Sequence, residues 1–371
     1  MADHYQIACS IHELDEDRWD TLAGGQVVMT HRWQRVMEAC RPGYAPRYAL
    51  LEDGQGPLAA FTADTASTFG RRGLCEALLR RASVVVGAPM SAMHPGVVRR
   101  PGLSLEAALP RLEPALRDLC RHGSRPLLCV GNVATADLPQ WQARGFLASA
   151  QAAATMLDLS GPSGASYDAY LATLPRRDRH EVGRARRRGA DHGVVLTHGP
   201  LAGDEGALLY PLLREVFAHH GTAERAMPLT ADLFGALARE LPGETLLFTG
   251  HVGGQLAGFF LCFGRGADLW CAWAGLHYEL AYPSSLYFLL IDELVRWSIA
   301  HGVRRIHAGL SNERQKARHG FRPRERWFCA RATPRPLHAA LALSLSGAPS
   351  AHGGRAQVGV LAPGGPGSGE Y

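Results

Sequence analysis

The chain has 371 residues, 46% hydrophobic and 20% charged, with a formal net charge of +5. That length predicts two domains of comparable size, and the longest apolar runs, such as LYFLLI and GFFLCF, are too short to cross a bilayer. Eight scattered cysteines, with no Cys-x-x-Cys pair and no His at zinc spacing, exclude a zinc ribbon and read as small buried side chains in a reducing compartment.

The N-terminal stretch MADHYQIACSIHELDEDRW carries acidic residues early and no continuous apolar core. The expectation is therefore no signal peptide and a cytoplasmic location. Next, RYALLEDGQGPLAAFTADTA reads as a β-hairpin around an Asp-Gly-Gln-Gly turn. The amphipathic stretch SLEAALPRLEPALRDLCRHG follows, and Pro110 and Pro114 predict a kinked or shortened helix. A strand, RPLLCVGN, and a short helix ending in QWQARGF complete the first half.

The same order then recurs. A Gly/Pro/Ser stretch near 161–166 leads into a new helix, and TLLFTGHVGGQLAGFFLCFG repeats the hairpin around Gly-Gly-Gln. A further strand, DLWCAWAG, precedes a long helix, SSLYFLLIDELVRWSIAHG, with a serine pair at its start and Gly302 past its end. The strand RRIHAGLSN and the short helix RQKARHGF close the copy. The two copies predict an α/β protein of two tandem domains, residues 1–162 and 163–345, each a mostly antiparallel mixed sheet flanked by helices. Residues 346–371, rich in Gly, Pro and Ser, are expected to be a disordered tail.

Charge is uneven along the chain. The first 160 residues balance 16 basic side chains against 16 acidic ones, so the whole excess lies beyond them. Residues 176–188 hold seven arginines against two acids, and residues 304–335 hold ten cations against two acids. Such clusters are commonly solvated faces, and they equally suit a phosphate-bearing partner: nucleic acid, coenzyme A or a nucleotide-linked substrate. Lys316 is the only lysine in the sequence. An ammonium is a compact charge that loses its proton when desolvated, which a guanidinium does not do. In the first copy Gln142 falls where Lys316 stands if the shared Ala-Arg pair is aligned.

The hairpin–strand–helix–strand–helix order ending in Gly-Phe resembles the GNAT acyltransferase fold, and two tandem copies resemble the Fem-type (FemAB-like, tandem-GNAT) transferases. In the second copy YDAYLATLPRRDRHEVGRARRRGADHGV is similar to that family's opening. The segment from AGLHYELAYPSSLYF through RQKARHGFRP resembles its closing Lys-x-x-x-Gly-Phe-x-Pro part. The coenzyme-A pattern R/Q-x-x-G-x-G/A ahead of the long helix is absent, and Fem-type relatives lack it too.

The resemblance implies amide-bond formation, with aminoacyl-tRNA as donor and a small-molecule amine as acceptor. No covalently bound cofactor, no metal and no DNA partner is implied. An acyl-CoA donor on the same fold stays open, as does a catalytically silent binding module. The catalytic candidates are Lys316, Glu279 and His277. If the His-Tyr-Glu segment is extended, Glu279 and His277 share a face as base and orienter; a loop salt bridge or helix cap is the simpler alternative. Lys316 falls where the family's closing lysine acts on phosphate or oxyanion. Donor or tRNA contacts are expected from Arg176, Arg177, Arg179, Arg184, Arg318, Ser284 and Ser285. Trp273, Tyr278, Tyr282 and Asn312, with Trp270, are expected along the substrate cleft, or else as ordinary core.

Overall fold

A computed structural model describes residues 4–65, 81–91, 93–220, 229–310 and 312–346. Cys75 and residues 347–371, including nearly all of the expected tail, lie outside the described residues.

In chain order the strands are β1 (His4–Ala8), β2 (Pro46–Asp53), β3 (Gly56–Asp64), β4 (Ser83–Val86), β5 (Val97–Arg99), β6 (Leu127–Ala134), β7 (Leu147–Asp158), β8 (Val195–Gly199), β9 (Thr245–Val252), β10 (Gln255–Arg265), β11 (Asp268–Leu276), β12 (Arg305–His307) and β13 (Arg322–Ala332). The α-helices are α1 (Glu16–Ala23), α2 (His31–Cys40), α3 (Leu105–His122), α4 (Leu138–Gln142), α5 (Tyr167–Thr173), α6 (Arg176–Asp191), α7 (Gly206–His219), α8 (Leu233–Glu240), α9 (Tyr278–Ser284), α10 (Leu286–Ala300), α11 (Glu313–Ala317) and α12 (Arg335–Ser346).

The chain forms two compact units. The first takes residues up to Ala153 together with the chain from Glu325, and the second takes Ala154 to Arg324 apart from the undescribed stretch near 225–228. The sequence put the boundary at 162/163 and left 325–345 in the second domain. The difference has a physical cause: Arg326–Ala332 of β13 pair antiparallel with Ala134–Leu127 of β6, returning the late strand to the first unit. Periodicity reports that a strand exists, not which distant edge it joins.

In the first unit the strand order is β1-β2-β3-β4-β6-β13, with β5 also on β3. Its pairs are antiparallel except β4 with β6. The β2–β3 turn forms as expected: Asp53 accepts a hydrogen bond from the Gln55 amide at 2.8 Å, and Gly56 takes φ +100°. Helix α3 is neither shortened nor divided at Pro110 and Pro114. Ser104 caps it, and Leu105, Leu109, Leu112, Leu116 and Leu119 pack its apolar face on the sheet, so tertiary burial overrides the two prolines.

In the second unit the order is β7-β12-β11-β10-β9-β8, antiparallel except β11 with β12. Helices α6 and α10 pack closely. A Cβ at Gly189 would lie 2.4 Å from Leu289 Cδ1, so glycine sets their approach. Buried Asp292 on α10 pairs with Arg186 of α6 at 3.0 Å and with Arg296 at 3.4 Å. The long helix begins at the expected serine pair, as α10 with Ser285 at its N-cap in left-handed φ of +58°, and a separate short helix, α9, precedes it where the sequence suggested none. Gly302 follows α10 at φ +69°, as the sequence suggested.

Candidate active site

The site grows out of a parallel strand pair of the second unit. Asp268–Trp270 of β11 pair with Arg305–His307 of β12 for three residues only. That short register is pinned on one side by Asp268, which accepts from Arg305 at 2.7 and 2.6 Å and meets His307 at 2.8 Å. Trp270 stacks on His307 with centroids 3.8 Å apart. Beyond Trp270 the two strands part: β11 runs on to Leu276 while β12 ends at His307.

The chain leaving β12 turns through Ala308 and Gly309, held by hydrogen bonds of 2.9 Å between Ala308 and Thr155 and between Thr155 and Gly309. Asn312, at φ +58°, then starts α11. This turn directs Lys316 inward. Its side chain is 6% exposed, and its ammonium donates to the Ala308 carbonyl. Burial lowers its pKa to about 8, against the opposing pull of Cys271 and Glu313. An ammonium has three N–H donors, so one carbonyl leaves two for another acceptor.

Near Lys316 stands Cys271, the first residue of β11 past the paired segment, and Tyr287 of α10 lies within electrostatic reach of that cysteine. Burial raises the Tyr287 phenol well above its ordinary value. His220, just past α7, has its pKa lowered by burial and by the neighbouring His219 and Lys316. At the mouth of α9, Glu215 accepts from the Tyr278 amide at 2.9 Å, His219 stacks on Tyr278 at 4.0 Å, and the Tyr282 hydroxyl meets His219 Nε2 at 3.2 Å.

Several candidates fall elsewhere. The His-Tyr-Glu segment is not extended: His277 is the N-cap of α9 and Glu279 lies in its first turn. The two therefore do not share a strand face. Glu279 is exposed, whereas His277 Nδ1 is buried with no hydrogen-bond partner among the described residues. The Ser284 hydroxyl is committed to the Leu280 and Ala281 carbonyls at 2.7 and 3.3 Å, and the Ser285 side chain makes no capping bond. Trp273 is buried edge-on against Phe263, while Tyr282 is 63% exposed.

Arg176, Arg177, Arg179 and Arg184 lie exposed on α6; Arg184 pairs with Glu181 at 2.8 Å and Arg179 donates to the Leu174 carbonyl. Arg318, half-buried, follows α11. Among the described residues no cluster of His, Cys, Asp or Glu could hold a metal ion, and no helix is long and apolar enough to cross a membrane.

Cys271 and Tyr287 were not singled out from sequence. Cys271 sat in an apolar run and Tyr287 in an apolar helix, and only the Tyr287 hydroxyl hinted at a polar task. The alignment of Lys316 with Gln142 also changes. The Phe321 amide donates to the Lys316 carbonyl, and the Phe146 amide donates to the Trp141 carbonyl, both at 3.2 Å. The counterpart of Lys316 in the first unit is therefore Trp141.

Residues 176–317 match the family model described as an acetyltransferase (GNAT) domain. No curated protein matches the sequence. Among solved structures, the chain is similar to the C-terminal domain of a putative lysylphosphatidylglycerol synthetase from Agrobacterium fabrum, with TM-score 0.57, 14% identity, and coverage of 91% of this chain and 96% of that one. FemX matches with TM-score 0.57 at 9% identity over 92% of this chain and 100% of its own. A tandem GNAT protein from the clavulanic acid biosynthesis pathway matches with TM-score 0.50 at 16% identity, over 90% of this chain and 99% of that one.

Proposed function

We propose, for a chain with the tandem-GNAT fold of the Fem-like acyltransferases and a GNAT-type acyltransferase domain in its second unit, that it joins an aminoacyl group carried by tRNA to a small-molecule amine. The observation carrying this reading is Lys316, the one lysine of the sequence, buried where β11 and β12 part with a single side-chain partner, the Ala308 carbonyl, among the described residues.

In this reaction a neutral amine attacks the ester carbonyl of the donor. The new C–N bond forms as the carbonyl oxygen gains negative charge. The C–O bond to the ribose then breaks, and that oxygen leaves with a proton. Lys316 supplies the N–H donors not taken by Ala308 among the described residues, and a positive charge, to the developing oxyanion, in a desolvated setting where both act more strongly than in water. With its pKa lowered only to about 8, the group is still mainly ammonium at neutral pH. Asn312, whose carbonyl accepts from the Lys316 amide at 3.0 Å, and Tyr287, on the side of Cys271, are suited to orienting the donor. The exposed arginines of α6 suit the phosphates of an acceptor arm. A charged-tRNA donor places the reaction in the cytoplasm.

An acyl-CoA donor is the second reading, supported by the description of the matching family model. Purified protein offered charged tRNA or acyl-CoA, each with an amine panel, separates the two. The first reading expects amide product from charged tRNA, abolished by ribonuclease. Product from acyl-CoA alone overturns it in favour of the second, and failure of both donors favours a silent binding module.

A further inference from the structure

Cys262 and Cys271 face each other directly across β10 and β11, immediately beside a bulge. Directly opposed residues of antiparallel strands project to the same side of the sheet, with Cα atoms about 4.5 or 5.5 Å apart. Both values fall within the span of roughly 4.4–6.8 Å that a disulfide requires. Both thiols are free, and both pack into the core between this sheet and α10. Cys262 is fully buried, while Cys271 is partly exposed on the strand that borders Lys316. Among the described strand pairings, no other two cysteines are directly opposed.

The two sulfurs are chemically unequal. The neighbouring Cys262 thiol and the Lys316 ammonium favour the Cys271 thiolate against the effect of burial, so Cys271 is held below the ordinary thiol range. Burial and the neighbouring Cys271 push Cys262 well up. A thiolate-prone cysteine on a partly exposed strand residue next to a second thiol is the arrangement of a peroxide-reactive cysteine with its resolving partner.

We propose that Cys271 and Cys262 form a peroxide-oxidisable thiol pair beside Lys316, closing reversibly to a cross-strand disulfide. The Cys271 thiolate attacks one oxygen of hydrogen peroxide, the O–O bond breaks, and the leaving hydroxide takes a proton to become water. The Cys271 sulfenic acid so formed is attacked by the Cys262 thiol. The S–S bond forms, the S–O bond breaks, and a second water leaves. Two thiols are oxidised by two electrons and one peroxide is reduced. The disulfide removes the thiolate that helps Lys316 keep its proton, so oxidation weakens the charge at the site. The pair stands whichever acyl donor the protein uses.

The test treats the full chain with hydrogen peroxide, blocks remaining thiols with N-ethylmaleimide, and maps tryptic peptides by mass spectrometry. Arg265 lies between the two cysteines, so trypsin places Cys262 in the peptide 240–265 and Cys271 in the peptide 266–296. The expected product is these two peptides linked, 2 Da lighter than their sum and released by dithiothreitol, forming about tenfold faster than oxidation of buried Cys129 or Cys329. In Cys262→Ser, dimedone is expected to trap a sulfenic acid on Cys271. Oxidation confined to exposed Cys9 overturns the proposal, as does over-oxidation of Cys271 in the wild type without linkage.

Discussion

The two units end their short helices in the same backbone turn and fill it with opposite chemistry. In the first, α4 leads to Gly145 at φ +76° and buried Phe146; in the second, α11 leads to Gly320 at φ +78° and buried Phe321. Five residues before each phenylalanine, one unit places Trp141 and the other Lys316. Trp141 is fully buried and meets Phe146 edge-on at 5.0 Å, as a core residue should. Lys316 is nearly as buried, yet carries a group that costs free energy to desolvate. The fold plainly accepts a large apolar side chain at this position. An ammonium there weakens the turn, and chemistry is the reason such a cost is borne.

The largest effect that sharpens this contrast is on stability. Trp141→Ala should lower unfolding free energy by about 3–5 kcal/mol, measured by denaturant titration, because it leaves a cavity under Phe146. A loss below about 1 kcal/mol would mean the first-unit turn is not core-built. Next come the neighbours of Lys316. Tyr287→Phe and Asn312→Ala should each lower kcat about tenfold, the scale of one lost orienting hydrogen bond, with little change in Tm. Unchanged kcat in both would detach that pair from the chemistry.

The pH response has a defined sign. The Lys316 pKa is lowered on folding from 10.5 to about 8, so between those values the unfolded chain binds more protons and stability rises with pH. The destabilisation is fully present below pH 8 and is relieved as pH climbs toward 10.5. The Tm of wild type relative to Lys316→Met should therefore increase across that window; a flat difference would contradict the buried ammonium. Turnover should show an alkaline limb near pH 8, which Lys316→Arg shifts upward if any turnover remains. The smallest effects belong to α6: replacing exposed Arg177 or Arg184 by Ser should reduce the salt slope of tRNA binding by about one each.

Much of this contrast was legible in the sequence. Both hairpins, with their glycine turns at Gly56 and at Gly253–Gly254, follow from local chemistry, and so do the Gly302 stop and the repeated Gly-Phe ending. Helix α9 was not legible, because the His-Tyr-Glu segment reads as readily extended as helical, whereas the start of α10 at the serine pair was. The return of β13 to β6 is a long-range pairing that no window of sequence contains. Lys316 stood out by residue type alone. Its true counterpart was hidden because aligning Ala-Arg with Ala-Arg favoured Gln142, whereas the hydrogen bonds of the turn select Trp141. Cys271 and Tyr287 looked apolar in sequence and acquire a role only through their neighbours.

The central claim is that the second unit spent its turn position on a chemical ammonium. Its most direct test is Lys316→Met, with Tm and turnover measured side by side under the donor that supports the wild type. A methionine fills the space without charge, so Tm should be equal or higher and turnover should fall about a hundredfold or more. Turnover retained in a folded Lys316→Met protein would contradict it.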